Sequence, residues 1–373
     1  MAGIYIHFPF CNSKCIYCNF YSVVNSKEID NYLSALTKEI TSHQVLQNKL
    51  PIETLYFGGG TPSLISPKKF IPIIDAIDKT FGLQNLQEFT FEANPEQLSL
   101  DYLFQLKRMG VNRLSIGVQS FDDNILSFMN RKHSAIQAIK AIENAVNADF
   151  TNISIDLIYG IAERDRKKWG KELLTSFSFP ITHLSAYALT VEENTILYKK
   201  IKSKKIHSIS ENKAIDDYHL LIQIAQQQQF EHYEISNFSK KGFHSKHNTA
   251  YWHNIPYYGF GAAAHSYFGK IRQWNIANLT SYMKGVKDDN LAAEKESLTD
   301  NDIFNEYLLL GLRTKSGIDL KYIEKKYNIQ RVERILQTIN KCSKTLFQIT
   351  DNRLTLSEEG FLWADYFAQQ LFI

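Results

Sequence analysis

Six short apolar runs alternate with longer amphipathic stretches through the first two-thirds of this 373-residue chain. Gly3–Phe8, Thr54–Phe57, Glu88–Glu92, Arg113–Val118, Asn152–Ile158 and His183–Leu189 read as strands. Lys27–Gln47, Pro67–Phe81, Ser99–Met109, Ser134–Ala148, Arg166–Ser176 and Ser210–Gln229 read as helices between and after them. This rhythm predicts a parallel sheet, because parallel neighbours need a crossover and the crossover is usually a helix. The expected class is α/β, with six units forming a partial (β/α)6 TIM-like barrel over residues 1–230.

In such a barrel the chemistry collects at the carboxyl ends of the strands. Strand one runs into Cys11, Cys15 and Cys18, and strand two into Gly58-Gly59-Gly60-Thr61-Pro62. Strand three ends at Glu92-Ala93-Asn94-Pro95 and strand four at Gly117-Val118-Gln119-Ser120. Strand five carries Asp156 and leads into Tyr159-Gly160, and strand six leads into Tyr187 and Ala188. The glycine run lacks the ending of a P-loop and the spacing of a dinucleotide fingerprint. It permits close backbone approach to a ligand. Singly, Glu92, Gln119 and Asp156 read as satisfied barrel polars; their shared mouth points to a binding site.

Three of the four cysteines fall in that first loop with the spacing Cys-x3-Cys-x2-Cys. Three thiolates can hold three irons of a 4Fe-4S cube and leave the fourth open to another ligand. Structural zinc needs four protein ligands, and no partner Cys pair follows downstream. Cys342 stands apart and reads as an ordinary thiol. Ligating thiols fit a reducing compartment, no leader-like segment precedes the first strand, and no apolar run is long enough to span a bilayer. A cytoplasmic location is therefore expected. A formal charge of +3 argues against the broad basic footprint of a nucleic-acid binder.

Together these motifs resemble the radical S-adenosylmethionine (SAM) proteins. More narrowly, Tyr5-x-His7-x-Pro9-Phe10-Cys11 and the blocks Gly117-Val118-Gln119-Ser120-Phe121, Asn130-Arg131 and Asp156-Leu157-Ile158-Tyr159-Gly160 resemble the oxygen-independent coproporphyrinogen III oxidase superfamily. The likeness runs over nearly the whole chain. It implies that SAM chelates the open iron, and that one-electron reduction cleaves it to methionine and a 5′-deoxyadenosyl radical. It implicates Tyr5, Gly59, Gly60, Thr61, Glu92, Gln119, Arg131, Asp156 and Ala188 as SAM contacts, with the glycine amides and Thr61 at the amino-acid end. Tyr17, between the second and third cysteines, is expected against the adenine.

From about Glu231 the rhythm stops and aromatic density rises, so residues 231–300 read as a connecting segment. A histidine beside Tyr and Trp is most simply a packed or hydrogen-bonded residue. Yet His247-Asn248-x-x-Tyr251-Trp252 resembles the His-Asn-x-x-Tyr-Trp signature of HemW-like haem chaperones within the same superfamily. That resemblance implies haem contacts for His247, Asn248, Tyr251 and Trp252, with imidazole on the iron and flat aromatic faces on the porphyrin. Gly259–Ala264 would let backbone approach SAM or haem closely.

Residues 301–373 read as a small α+β winged-helix-like domain. Helices are expected at Phe304–Arg313, Leu320–Lys326 and Gln330–Lys341, then a hairpin of Leu346–Thr350 and Arg353–Leu356 turning at Asp351-Asn352. A single helix, Ser357–Leu371, is expected to close the chain. Charge is mixed and no basic recognition helix is present, so a docking or lid role is expected.

Three functions are consistent with these features. The first is a haem chaperone carrying a SAM-liganded cluster and passing haem to recipient haemoproteins. The second is the coproporphyrinogen III oxidase, and the third a radical SAM methylase. The oxidase pattern has a fourth cysteine where Phe20 stands, and an extension before the cluster where only ten residues precede Cys11. With the His-Asn signature, these differences favour the chaperone, without coproporphyrinogen oxidase activity.

Overall fold

The computed structural model describes residues 1–43, 50–206 and 210–373. Six parallel strands pair in chain order: β1 (Ala2–Phe8), β2 (Ile52–Gly59), β3 (Glu88–Ala93), β4 (Arg113–Gln119), β5 (Ile153–Tyr159) and β6 (His183–Ala188). Their alternation explains both faces of the sheet. Ile4, Ile6, Leu55, Phe57, Phe89, Phe91, Leu114, Ile116, Ile155, Leu157 and Leu184 belong to one apolar core under the helices. The intervening positions, among them Tyr5, Thr54, Tyr56, Glu92, Ser115, Ser154, Asp156 and His183, take the opposite face and fill the barrel lumen with polar groups. Those groups pair with one another, as buried polar groups must: Ser154 Oγ with His183 Nδ1 at 2.8 Å, and His183 Nε2 with the Tyr233 hydroxyl at 2.8 Å.

The covering helices are α1 (Ile29–Ser42), α2 (Ile71–Phe81), α3 (Leu100–Arg108), α4 (Asp123–Phe128), α5 (Ala135–Asn147), α6 (Arg166–Phe177), α7 (Ile196–Lys202) and α8 (Glu211–Gln227). Ser134 opens α5 with a capping box closed by Gln137. The predicted helical starts at Lys27 and Pro67 are 3-10 turns, Ser26–Glu28 and Pro67–Phe70, that feed α1 and α2. The predicted extension of the first helix to Gln47 falls outside the described residues from position 44 onward.

Residues 231–300 join the barrel sheet and do not merely link two units. They form β7 (Glu231–Glu234), β8 (Asn237–Ser239), α9 (Lys246–Trp252), β9 (Tyr257–Phe260), β10 (His265–Tyr267), β11 (Ile271–Asn275), α10 (Leu279–Lys287) and β12 (Ala293–Ser297). Among the described residues the sheet has twelve strands, ordered β12-β11-β10-β9-β1-β2-β3-β4-β5-β6-β8-β7. β9 runs parallel to β1, and β8 antiparallel to β6. Between these two additions α9 packs on the amino-terminal halves of β1 and β2 and closes the barrel floor. The Glu88 carboxylate accepts its first amides, Lys246 N at 2.9 Å and His247 N at 3.0 Å.

The remaining chain forms α11 (Asp300–Leu312), β13 (Ile318–Asp319), α12 (Leu320–Lys326), α13 (Ile329–Ile339), β14 (Phe347–Thr350), β15 (Arg353–Leu356), α14 (Glu358–Phe361) and α15 (Ala364–Leu371), around its own apolar cluster. Its antiparallel sheet has the order β13-β15-β14. Asp351 and Asn352 both take positive φ, 51° and 64°, as a two-residue type I′ hairpin requires. The expected closing helix is in fact two. Gly360 lies so close to the Leu346 carbonyl that α14 is held to the hairpin, while α15 turns at Trp363 to bury Phe367 and Leu371. Among the described residues no helix is long and apolar enough to cross a membrane.

Candidate cofactor-binding site

Cys11, Cys15 and Cys18 are free thiols on the loop after β1, bordering a cavity of about 610 Å³ at the carboxyl ends of the strands. The loop is fastened from several sides. Cys11 N donates to Val23 O at 3.0 Å, Ile16 N to Met129 O at 3.2 Å, and Asn130 Nδ2 to Lys14 O at 2.9 Å. Asn130 sits at φ 60°, a conformation its short polar side chain tolerates. Tyr17, Gly59, Gly60, Thr61, Glu92, Gln119, Arg131, Asp156 and Ala188 border the same cavity. Tyr5 does not. It lies deeper in the lumen, its hydroxyl 3.0 Å from His7 Nδ1 and its ring 5.9 Å from that of Tyr56.

A continuous hydrogen-bonded chain joins two of the cysteines. The Thr61 hydroxyl donates to Cys11 Sγ at 3.6 Å, and Asn94 Nδ2 donates to the Thr61 hydroxyl at 3.1 Å. Arg131 Nη2 donates to Asn94 Oδ1 and to Gly117 O, both at 2.7 Å, and its Nη1 to Cys15 Sγ at 3.6 Å. Burial raises the Cys11 and Cys18 thiols, with the Thr61 hydroxyl opposing it at Cys11. Among the described residues no three His, Cys, Asp or Glu side chains are arranged to hold one metal ion. A cube instead gives each sulfur its own iron, so three half-buried thiols with donors beside two of them fit a cluster.

The Gly-Gly-Gly-Thr turn is used differently from expectation. Gly59 N donates to Glu92 Oε2 at 3.1 Å, Gly60 N to Phe8 O at 2.8 Å, and Thr61 N to Phe10 O at 2.7 Å. These amides are engaged inside the protein, so they do not offer the expected grip on a ligand. A Cβ on Gly60 would lie 2.7 Å from Phe10 O and 2.8 Å from Phe8 O, so this glycine seats the turn against the cysteine loop. Gly58 makes room for Glu92, whose carboxylate would be 2.9 Å from an added Cβ.

Glu92 Oε1 accepts from the Tyr56 hydroxyl at 2.6 Å. Burial pushes its carboxyl up to about 7, with the Tyr56 bond opposing. Burial likewise raises Asp156, whose Oδ1 accepts from Ser115 Oγ at 3.2 Å. Gln119 stands at φ 67°, where the β4–β5 register breaks. A non-glycine residue there costs on the order of 1–3 kcal/mol, the kind of strain that gathers at binding sites. Sequence reasoning left out Asn94 and Tyr56 as site residues. Asn94 carried a signal, since it stands two residues after Glu92 at a strand end; Tyr56 carried none.

His247, Asn248, Tyr251 and Trp252 lie on α9 at the floor, opposite the cavity. His247 is 1% exposed. Its Nδ1 bonds Thr54 Oγ1 and its Nε2 the Tyr251 hydroxyl, both at 2.8 Å, and burial keeps it neutral by pushing its pKa down to about 3. With both ring nitrogens engaged, this arrangement presents no open ligand position for haem iron. Asn248 N is capped by Ser245 Oγ at 3.3 Å, and Trp252 Nε1 is buried without a hydrogen-bond partner.

The radical SAM superfamily matches residues 5–172. Heme chaperone HemW of Bacillus subtilis (strain 168) is 32% identical over 367 residues, 97% of this chain and 97% of that protein. Heme chaperone HemW of Lactococcus lactis subsp. lactis (strain IL1403) is 33% identical over 362 residues, 96% of this chain and 93% of that protein. The solved structure of coproporphyrinogen III oxidase (HemN) from Escherichia coli, a radical SAM enzyme, matches with a TM-score of 0.86 at 21% identity, covering 99% of this chain and 89% of that one. That likeness establishes the fold alone. The sequence likeness to the two bacterial proteins runs through barrel, floor helix and carboxy-terminal domain alike, and the chain belongs to the HemW-like family of the radical SAM superfamily.

Proposed function

We propose that this chain is a haem chaperone that binds haem and delivers it to recipient haemoproteins in the cytoplasm, carrying a SAM-liganded 4Fe-4S cluster at the barrel mouth. The observation that carries the reading is the extent of the likeness. It continues well beyond residues 5–172, which the superfamily shares, through nearly all of two proteins named as heme chaperones.

When bound, the cluster and SAM supply one-electron chemistry at the mouth. Cys11, Cys15 and Cys18 would hold three irons, while Thr61 and Arg131 donate hydrogen bonds to two of the sulfurs. Gly59, Gly60, Glu92, Gln119, Asp156, Ala188 and Tyr17 would surround SAM. Glu92 keeps a proton to near neutral pH and can release it when a cation approaches. Asn248, Tyr251 and Trp252 are haem candidates on the family signature. The proposed division is residues 1–230 for the cluster and SAM, 231–300 for haem, and 301–373 for docking.

The oxidase reading has the shared fold behind it. Phe20, 70% exposed on the cavity rim where the oxidase pattern has a cysteine, favours the chaperone. Titrating anaerobically reconstituted protein with haem tests the proposal. A saturable absorption change at fixed stoichiometry, followed by transfer to an apo-haemoprotein, is expected. Non-saturable uptake with no transfer would overturn it.

A further inference from the structure

We propose that His247 is a positioning residue for the SAM site, acting through Tyr56 on Glu92, and that α9 thereby couples the barrel floor to its mouth. This rests on the assignment of Glu92 to SAM made above. The His247 ring stacks on Tyr56 with centroids 5.0 Å apart at 30°, and on Tyr5 at 6.5 Å and 29°. Thr54 and Tyr251 fix its two nitrogens, and Glu88 fixes its backbone amide. The seat is tight, since a Cβ on Gly3 would lie 3.1 Å from His247 Cε1. Every contact of this imidazole is therefore internal, and its position is over-determined.

What it supports is the wall beneath Glu92. Thr54 and Tyr56 are two residues apart on β2 and share the lumen face. The same Tyr56 ring that rests on His247 ends in the hydroxyl that donates to Glu92 Oε1 at 2.6 Å. The other carboxylate oxygen is held by Gly59 N. Glu92 is thus aimed from two points, one of which stands on His247. Removing the imidazole leaves a gap under Tyr56, lets its ring tilt, and releases one of the two points. A helix far along the chain, bearing the His-Asn-x-x-Tyr-Trp signature, then sets the carboxylate at the opposite end of the lumen.

The test measures SAM affinity of anaerobically reconstituted protein by calorimetry for wild type, His247→Ala, Glu92→Gln, the double variant and Tyr56→Phe, with haem titrations alongside. His247→Ala and Tyr56→Phe should each weaken SAM by about tenfold, the scale of a supporting hydrogen-bond shell. The double variant should be no worse than the weaker single variant, because both changes act on one group. Haem band positions should be unchanged in His247→Ala, because the imidazole is not an iron ligand. Tyr56→Phe keeps the ring on His247, so the idea stays testable even if His247→Ala folds poorly. Additive losses would overturn the proposal, as would retained SAM affinity in His247→Ala with shifted haem bands, the signature of a lost axial ligand. Weakened Glu92→Gln beside an unaffected Tyr56→Phe removes the proposal alone. Unaffected Glu92→Gln removes the SAM-site reading and the proposal with it.

Discussion

Replacing Glu92 by Gln should stabilise the ligand-free protein above neutral pH while weakening SAM binding. Burial raises the Glu92 carboxyl from its ordinary 4.5 to about 7. Between those values the folded chain keeps a proton that the unfolded chain releases. Stability therefore falls as pH rises through that window and stays reduced above it. The full interval corresponds to about 3 kcal/mol. Glu92 borders the open cavity, and solvent screening there brings the expected effect down to about 1–2 kcal/mol. Gln can keep both contacts: its oxygen accepts from Gly59 N, and its amide donates to the Tyr56 hydroxyl, which rotates to accept. Urea unfolding of metal-free, reduced protein at pH 5 and pH 8 gives the comparison. The variant should match wild type at pH 5 and exceed it at pH 8. A difference independent of pH, or a variant less stable throughout, would refute the reasoning.

Other substitutions probe the scaffold around the site. Cys15→Ala should abolish the visible absorbance of the reconstituted cluster; unchanged absorbance and iron content would remove Cys15 from the ligand set. Gly60→Ala drives a Cβ against the carbonyls of Phe8 at the end of β1 and Phe10 in the cysteine loop, and should cost about 1–3 kcal/mol and lower iron retention, read by denaturation and iron assay. Asn352→Gly, at φ 64°, should gain a few tenths to about 1 kcal/mol in thermal unfolding, because glycine takes the left-handed turn without strain.

The parallel strands were legible because their outward residues, such as Leu114, Ile116, Ile155 and Leu157, are buried under helices and read as apolar runs. The mouth was legible for a related reason, since strand ends are where a barrel collects its odd residues. The added strands were not. Ala293–Ser297 reads Ala-Glu-Lys-Glu-Ser, an edge strand exposed on both faces that carries no alternation to find. Nor could periodicity show that α9 closes the floor, because contacts such as Thr54 with His247 join residues far apart in the chain. The engaged turn amides were not legible for the same reason: their acceptors lie on β1, on the cysteine loop and on Glu92 of β3.

Anaerobic incubation of the reconstituted protein with SAM, a one-electron reductant, haem and coproporphyrinogen III tests the central claim most directly. Haem bound at fixed stoichiometry with coproporphyrinogen left intact is the predicted result. Accumulation of decarboxylated porphyrinogen, with no haem retained, would contradict the chaperone account and establish the oxidase in its place.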